Sequence, residues 1–459
     1  MNKSFFFVGI IILQLCSSLV FAGGPLVIEG PDGNTAVTYQ NPNITLHVES
    51  GDLGTLSNLD ADAILKEAFD LWNTVNTSTV NLIFDEDALI NVDIDISNFD
   101  QYIPSIDGTI FNGDDGLNPI VYDSDGAIID AFFGENASDD IAGFAASIFN
   151  LNGSYFNEGY AVISGKQLDP ATTEFKLLIA HEIGHFFGLD HTQANISNQE
   201  TDLGFPLACS TSARENYPLM YPFICRDVET LHLDDISALS ALYPTDSTDP
   251  ATYINNNFGI IEGRFVDESG NAILGANIWA ENITTGETIS IVSDYLKQCN
   301  GYYKLVLPPG DYTLHANSIN ELFNGGSSVG PYAFDLSDKS FVDPHPIAEV
   351  TYQGVDDSAD EIITVSTGQT TTINFSITGS DPVIINDSSD LCSAIVISDS
   401  SSGSSGTSYI TLLLLLSFLL LARYLDTFFV MTVGWARFFA HAERPANTWA
   451  KKPAHPTKT

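Results

Sequence analysis

Residues 181–191 read HEIGHFFGLDH and hold three of the chain's nine histidines. The apolar residues leading into this stretch, Phe175, Leu177, Leu178 and Ile179, predict a helix that starts near Asp169-Pro170. That pair is a capping residue followed by proline at the first helical position. On such a helix His181 and His185 are four apart, so their imidazoles project from one face about a turn apart. The spacing suits two ligands of a tetrahedral Zn²⁺, whose nitrogen donors sit about 2.0–2.1 Å from the metal. Glu182 follows the first of them, where its carboxylate can reach an attacking water instead of the metal. Gly188 can end the helix in a left-handed conformation that a β-carbon disfavours. The chain then reverses and delivers His191 as a third nitrogen ligand. Three protein ligands leave one position open, as catalytic zinc requires and structural zinc does not. At ordinary residue frequencies H-E-x-x-H arises by chance in about 1% of chains this long, and the added glycine and third histidine make it roughly a thousandfold rarer.

The stretch resembles the metzincin signature H-E-x-x-H-x-x-G-x-x-H. Downstream, Pro218-Leu219-Met220-Tyr221-Pro222 places a methionine 29 residues after His191 and looks like the matrixin form of the methionine turn. The resemblance implies an α+β catalytic domain over residues 26–244, with a twisted mixed sheet, helices, a zinc helix and a Met-turn at Met220. It also implies a zinc metalloendopeptidase that cleaves protein or peptide substrates, with His181, His185 and His191 as metal ligands and Glu182 as general base. In relatives with a tyrosine zinc ligand, that residue lies two positions beyond the methionine; here Pro222 stands there. No histidine lies between His47 and His181, so a second, structural zinc site is not expected. Nor does a cysteine lie between Ala22 and Cys209 that could cover the zinc from an N-terminal segment. The residues between His191 and Met220, Phe205, Pro206 and Leu207 among them, are expected to shape the pocket beyond the scissile bond. Asp123, Asp125 and Asp130 could offer oxygen ligands to Ca²⁺, although an Asp-Gly turn accounts for the same phrase and the full spacing of a calcium loop is missing.

Outward from the motif, Ala36 to His47 alternates as a half-buried strand does. Ser57 or Asn58 should cap a helix whose Ile64, Leu65, Ala68, Leu71 and Trp72 recur at helical spacing. Val80 to Phe84 and Val92 to Ile96 read as strands. A second module, residues 258–378, breaks into short strand runs punctuated by Glu268-Ser269-Gly270-Asn271, Thr285-Gly286, Asn300-Gly301 and Pro308-Pro309-Gly310-Asp311. This spacing predicts a small antiparallel β-sandwich. The phrases GRFVDESGNAILGANIWAEN and NGYYKLVLPPGDYTLHA look like the carboxypeptidase-regulatory-like, transthyretin-type domain, which implies an accessory module without catalytic residues.

The ends read as addresses. Lys3, the apolar run Phe5 to Leu15 and the close at Ala22 have the layout of a secretory signal peptide over residues 1–22. Cys209, Cys225, Cys299 and Cys392 then remain in a chain bound for an oxidising compartment, and Cys209 with Cys225 is the pairing expected, since they flank the active-site loop. Residues 379–408 form a Ser/Gly-rich linker. The apolar segment 409–433 resembles the C-terminal sorting signals of bacterial surface proteins, or else is a membrane anchor. The basic tail 434–459 carries no fold signal.

Lys+Arg number 16 against 59 Asp+Glu, for a net charge of −43, and residues 23–408 hold only 9 of the basic side chains. No basic face is left to neutralise phosphates, so nucleic acid is excluded as a partner. With 44% apolar and 16% charged residues the chain is not a solvated polyanion either. One alternative keeps the fold and drops the chemistry. It is a surface adhesin or carbohydrate-binding protein with an inactive peptidase domain, its sandwich turning Trp279, Tyr302, Tyr303 and Tyr332 towards sugar rings.

Overall fold

The computed structural model describes residues 24–29, 35–103, 115–139, 141–149, 155–166, 173–192, 194, 214–296, 298–319, 347–354 and 359–386. The leader, the Asp169-Pro170 cap, residues 205–207, Cys209, Tyr332, Cys392 and everything from 387 onward lie outside them. Among the described residues no helix is long and apolar enough to cross a membrane.

Helix α1 (Asn58–Asn73) begins where Ser57 accepts a hydrogen bond from Asp60 N at 3.3 Å. Its Ala61, Leu65, Ala68, Phe69 and Trp72 are buried along one stripe; of the expected positions Leu65, Ala68 and Trp72 belong to it, whereas Ile64 and Leu71 are half-buried at its margin. It packs over a parallel sheet in the order β3 (Thr38–Tyr39), β8 (Tyr155–Ser164), β6 (Pro119–Asp123), β4 (Asn43–Val48), β5 (Asn81–Phe84). β7 (Gly143–Phe149) lies antiparallel on the other edge of β8, so the sheet is mixed. The five residues of β6 are all buried, the pattern of a strand covered on both faces. Helix α2 (Ala127–Phe133) follows β6, and a two-stranded ribbon of β1 (Ile28–Glu29) and β2 (Thr35–Ala36) lies at the start.

Two expected strands turn out otherwise. Ala36 to His47 is broken at Gln40 to Pro42, because β3 leaves to pair with β8 while β4 pairs with β5 and β6. Pro42 has no amide to donate, and the Asn41 side chain takes the Asn43 amide at 3.1 Å. Val92 to Ile96 is irregular. The buried Glu49 carboxylate captures the Ile94 amide, and with it the Tyr122 amide, which removes Ile94 from any ladder.

After helix α3 (Thr173–Phe186), helix α4 (Leu233–Leu242) and the short α5 (Ile254–Asn257), the chain enters two packed sheets. One has the order β11 (Thr288–Val292), β10 (Ala276–Asn282), β13 (Gly310–Ser318), β14 (Val350–Thr351), with β15 (Ile363–Val365) also on β13. The other runs β12 (Tyr302–Leu307), β9 (Gly259–Val266), β16 (Thr370–Thr372), with β17 (Phe375–Ser376) also on β9. A β-sandwich results, but not a wholly antiparallel one, since β16 and β17 run parallel to β9. The turn expected at Glu268–Asn271 forms because Asp267 accepts from the Ser269 and Asn271 amides, both at 2.8 Å, and Gly270 takes φ 82°. Of the aromatics expected to face sugar rings, two are buried, and half-buried Tyr302 donates its hydroxyl to Glu262 at 2.7 Å. Trp279 is buried and stacked on His315, and Tyr303 lies in the core with its hydroxyl on Ile373 O.

Candidate metal centre

The helix that carries HEIGH is α3, and it is apolar nearly all round because it lies between α1 and the sheet edge β7. The Trp72 indole donates to Ala180 O at 2.7 Å, tying α1 to the turn just before His181. Gly184 lies beneath the two helical histidines. A β-carbon there would overlap the Met220 sulfur and come within 3.1 Å of the Trp72 ring, so the Met-turn methionine packs directly on helix backbone. The helix ends in a Schellman motif: Leu189 N donates to Gly184 O at 3.1 Å and Gly188 N to His185 O at 2.9 Å, with Gly188 at φ 99°. Two further last-turn carbonyls are met by hydroxyls, Phe186 O by Ser147 and Phe187 O by Tyr243. With its end secured in this way, the reversed chain carries His191 back over α3.

The three imidazoles converge. Their Nε2 atoms lie 3.1 Å (His181–His185), 3.0 Å (His185–His191) and 3.2 Å (His181–His191) apart. Nδ1 of His181 faces Leu219 O at 2.7 Å and Nδ1 of His185 faces Leu189 O at 2.8 Å. A carbonyl can only accept, so both Nδ1 atoms carry the proton and both Nε2 atoms present lone pairs. Two lone pairs facing each other at 3.1 Å repel unless a cation lies between them. A tetrahedral zinc with the usual bond lengths would hold its nitrogens about 3.3 Å apart, so the donor set fits that ion. The rings lie deeper than a solvent-open site suggests, at 0, 1 and 2% exposure. Burial holds the His181 imidazole below the usual histidine range; for His185 the neighbouring His191 and His181 add to it, and both rings stay neutral, as ligands must.

Glu182 is buried on the same helix, with its side chain against Gly143 at the start of β7. A β-carbon at 143 would stand 3.1 Å from the Glu182 Cγ and 3.2 Å from its Oε1, so the missing side chain makes the space this carboxylate uses.

The Met-turn is held from behind by a residue that the sequence reading passed over. Asp235 accepts from Leu219 N (2.8 Å), Met220 N (3.0 Å) and His232 N (2.9 Å). His232 caps α4 and accepts from Asp234 N at 3.1 Å. The adjacent acidic pair after a histidine, at the start of an apolar periodic run, was the available signal. Asp123, Asp125 and Asp130, which could offer calcium ligands, accept hydrogen bonds from backbone amides: Asp123 from Ile128 and Ile129, Asp125 from Ala127, Asp130 from Ser138. Among the described residues, His181, His185 and His191 are the group of three whose ligand atoms could hold a metal ion.

Comparison with known proteins agrees with this site. Residues 38–198 match the family model described as Matrixin. No curated protein matches the chain. Among solved structures it is similar to BcpA, the major pilin subunit of Bacillus cereus, at 18% identity over 26% of this chain and 29% of that one, with a TM-score of 0.15. A leucine-rich repeat protein from Bacteroides thetaiotaomicron matches at 11% identity over 28% of this chain and 14% of that one, TM-score 0.14. The chain thus spans less than a third of either protein, and likenesses of that size carry no argument. The matrixin match over residues 38–198 and the converging imidazoles together mark a matrixin-type zinc metallopeptidase domain within the first module.

Proposed function

We propose that the protein is an exported zinc endopeptidase that hydrolyses peptide bonds of extracellular proteins, with His181, His185 and His191 as zinc ligands and Glu182 as general base. The observation that carries the reading is the pair of facing Nε2 lone pairs, fixed by Nδ1–H bonds to Leu219 O and Leu189 O. Zinc bound there would polarise the scissile carbonyl and lower the pKa of the attacking water towards about 7. Glu182 then takes the proton from that water and returns it to the departing amine. β7 supports an extended substrate: among the described residues its other edge is unpaired, and its first residue adjoins Glu182. Export rests on the leader at residues 1–22, and retention at a cell surface on the apolar segment 409–433. Pairing of Cys209 with Cys225 belongs to the same proposal, as does the transthyretin-type identity of the sandwich.

The test is made on purified full-length protein. Glu182→Gln should keep its zinc, measured by atomic absorption, while casein cleavage falls by about 10²-fold or more. His185→Ala should lose the metal itself. Wild-type turnover in Glu182→Gln would sink the assignment of the base, and full zinc content in His185→Ala that of the ligand.

A further inference from the structure

β11 is the end strand of its sheet, and an end strand leaves a row of amides without strand partners. Here that edge is turned against the first module. Ser290 N donates to Asp234 Oδ1 at 2.7 Å, and Ser290 Oγ lies 2.8 Å from Thr192 Oγ1. The Thr192 hydroxyl is itself bonded to the Asp234 carboxyl group. Either hydroxyl of the Ser290–Thr192 pair can serve as the donor. Thr192 follows the ligand His191, and its amide donates to Met220 O at 2.9 Å. Thr192, Asp234 and Ser290 are all buried. Around them Tyr217 and Tyr221 of the Met-turn region form one apolar cluster with Val292 and Ile319 of the sandwich. The two neighbouring carboxylates of α4 thus divide their work: Asp235 holds the Met-turn, and Asp234 holds the second module.

We propose that the β-sandwich is an internal support of the metal centre, in which Ser290 is a positioning residue that keeps His191 and Met220 in place through Thr192 and Asp234. A module that merely tethered the peptidase would not bury a carboxylate and two hydroxyls against the residue next to a ligand. The proposal gives the second module a part in the first module's site, and it draws on the metallopeptidase reading only where metal binding is the readout.

The experiment uses the full chain loaded with Co²⁺, whose visible spectrum reports ligand geometry, together with hydrogen exchange over residues 217–221. Ser290→Asp puts a further carboxylate against Asp234. It should weaken cobalt binding about tenfold or more, alter the spectrum and speed exchange in 217–221. Ser290→Ala and Thr192→Val, which remove only the hydroxyls, should together weaken binding no more than the worse of the two alone. If Ser290→Asp fails to fold, that pair decides the matter. The proposal is overturned if exchange at 288–292 rises while cobalt affinity and spectrum stay at wild type, or if the two hydroxyl variants add independently. Should the wild-type protein bind no cobalt, the metal reading fails; exchange at 217–221 in Ser290→Asp then judges the support by itself, with faster exchange sustaining it and no change refuting it.

Discussion

At Gly184 the helix that carries the ligands has no side chain because Met220 already occupies the space. Replacing a mid-helix glycine by alanine ordinarily gains about 1 kcal/mol of helix propensity. Here the new methyl meets the Met220 sulfur, and overpacking a closed core costs about 1–3 kcal/mol. Met220 and Trp72 are both buried, so the sulfur has little room to swing aside and the cost should win. Gly184→Ala is therefore expected to melt a few degrees below wild type by calorimetry; an equal or higher melting temperature would mean that Met220 moves at no cost. At this scale the histidines and Glu182 were legible in the sequence because their spacing is local, four and six residues along one helix and its return. Asp234 and Asp235 were not, since the Met-turn and Ser290 amides they hold lie 15 to 56 positions away.

The end of α3 shows the same contest at the level of an element. Gly188 takes φ 99°, and a β-carbon there would stand 2.9 Å from the Phe156 ring. Strain and overlap act together, so Gly188→Ala should cost about 2 kcal/mol or more in urea unfolding. Metal affinity should fall with it, because the Schellman turn delivers His191; a variant that lost stability yet kept full zinc affinity would separate the turn from the ligand it carries. Elements whose partners are near in sequence could be read directly: α1 from its apolar stripe and α3 from the run before His181. Val92 to Ile96 has a strand's composition, but a carboxylate 45 positions earlier takes its central amide. Likewise β16 and β17 look like any short strands, and their parallel pairing with β9 is set more than a hundred residues upstream.

For the whole molecule, buried carboxyls make stability depend on pH. Burial pushes Glu49 up to about 7 and Asp123 up to about 6, in each case against the amide bonds that favour the ionised form. The folded protein therefore holds protons that unfolded carboxyls, titrating near 4, have already released. With more protons bound in the folded state, this contribution is complete below about pH 4 and is lost as pH rises through 6 to 7. His181, His185 and His232, kept neutral by burial, act with the opposite sign, so the useful measurement is a difference between variants. Glu49→Gln should flatten the fall in unfolding free energy, measured in urea, between pH 4.5 and 7.5, by up to about 3 kcal/mol across the range. Parallel slopes for the two proteins would show that Glu49 does not hold the extra proton.

The parallel pairing of the first and last sandwich strands also has a mechanical side. Tension applied where β9 begins and where β17 ends would pull along neighbouring strands in opposite senses, loading their cross-links all together in shear. Strands peeled apart from one end give way bond by bond; these would have to fail in concert.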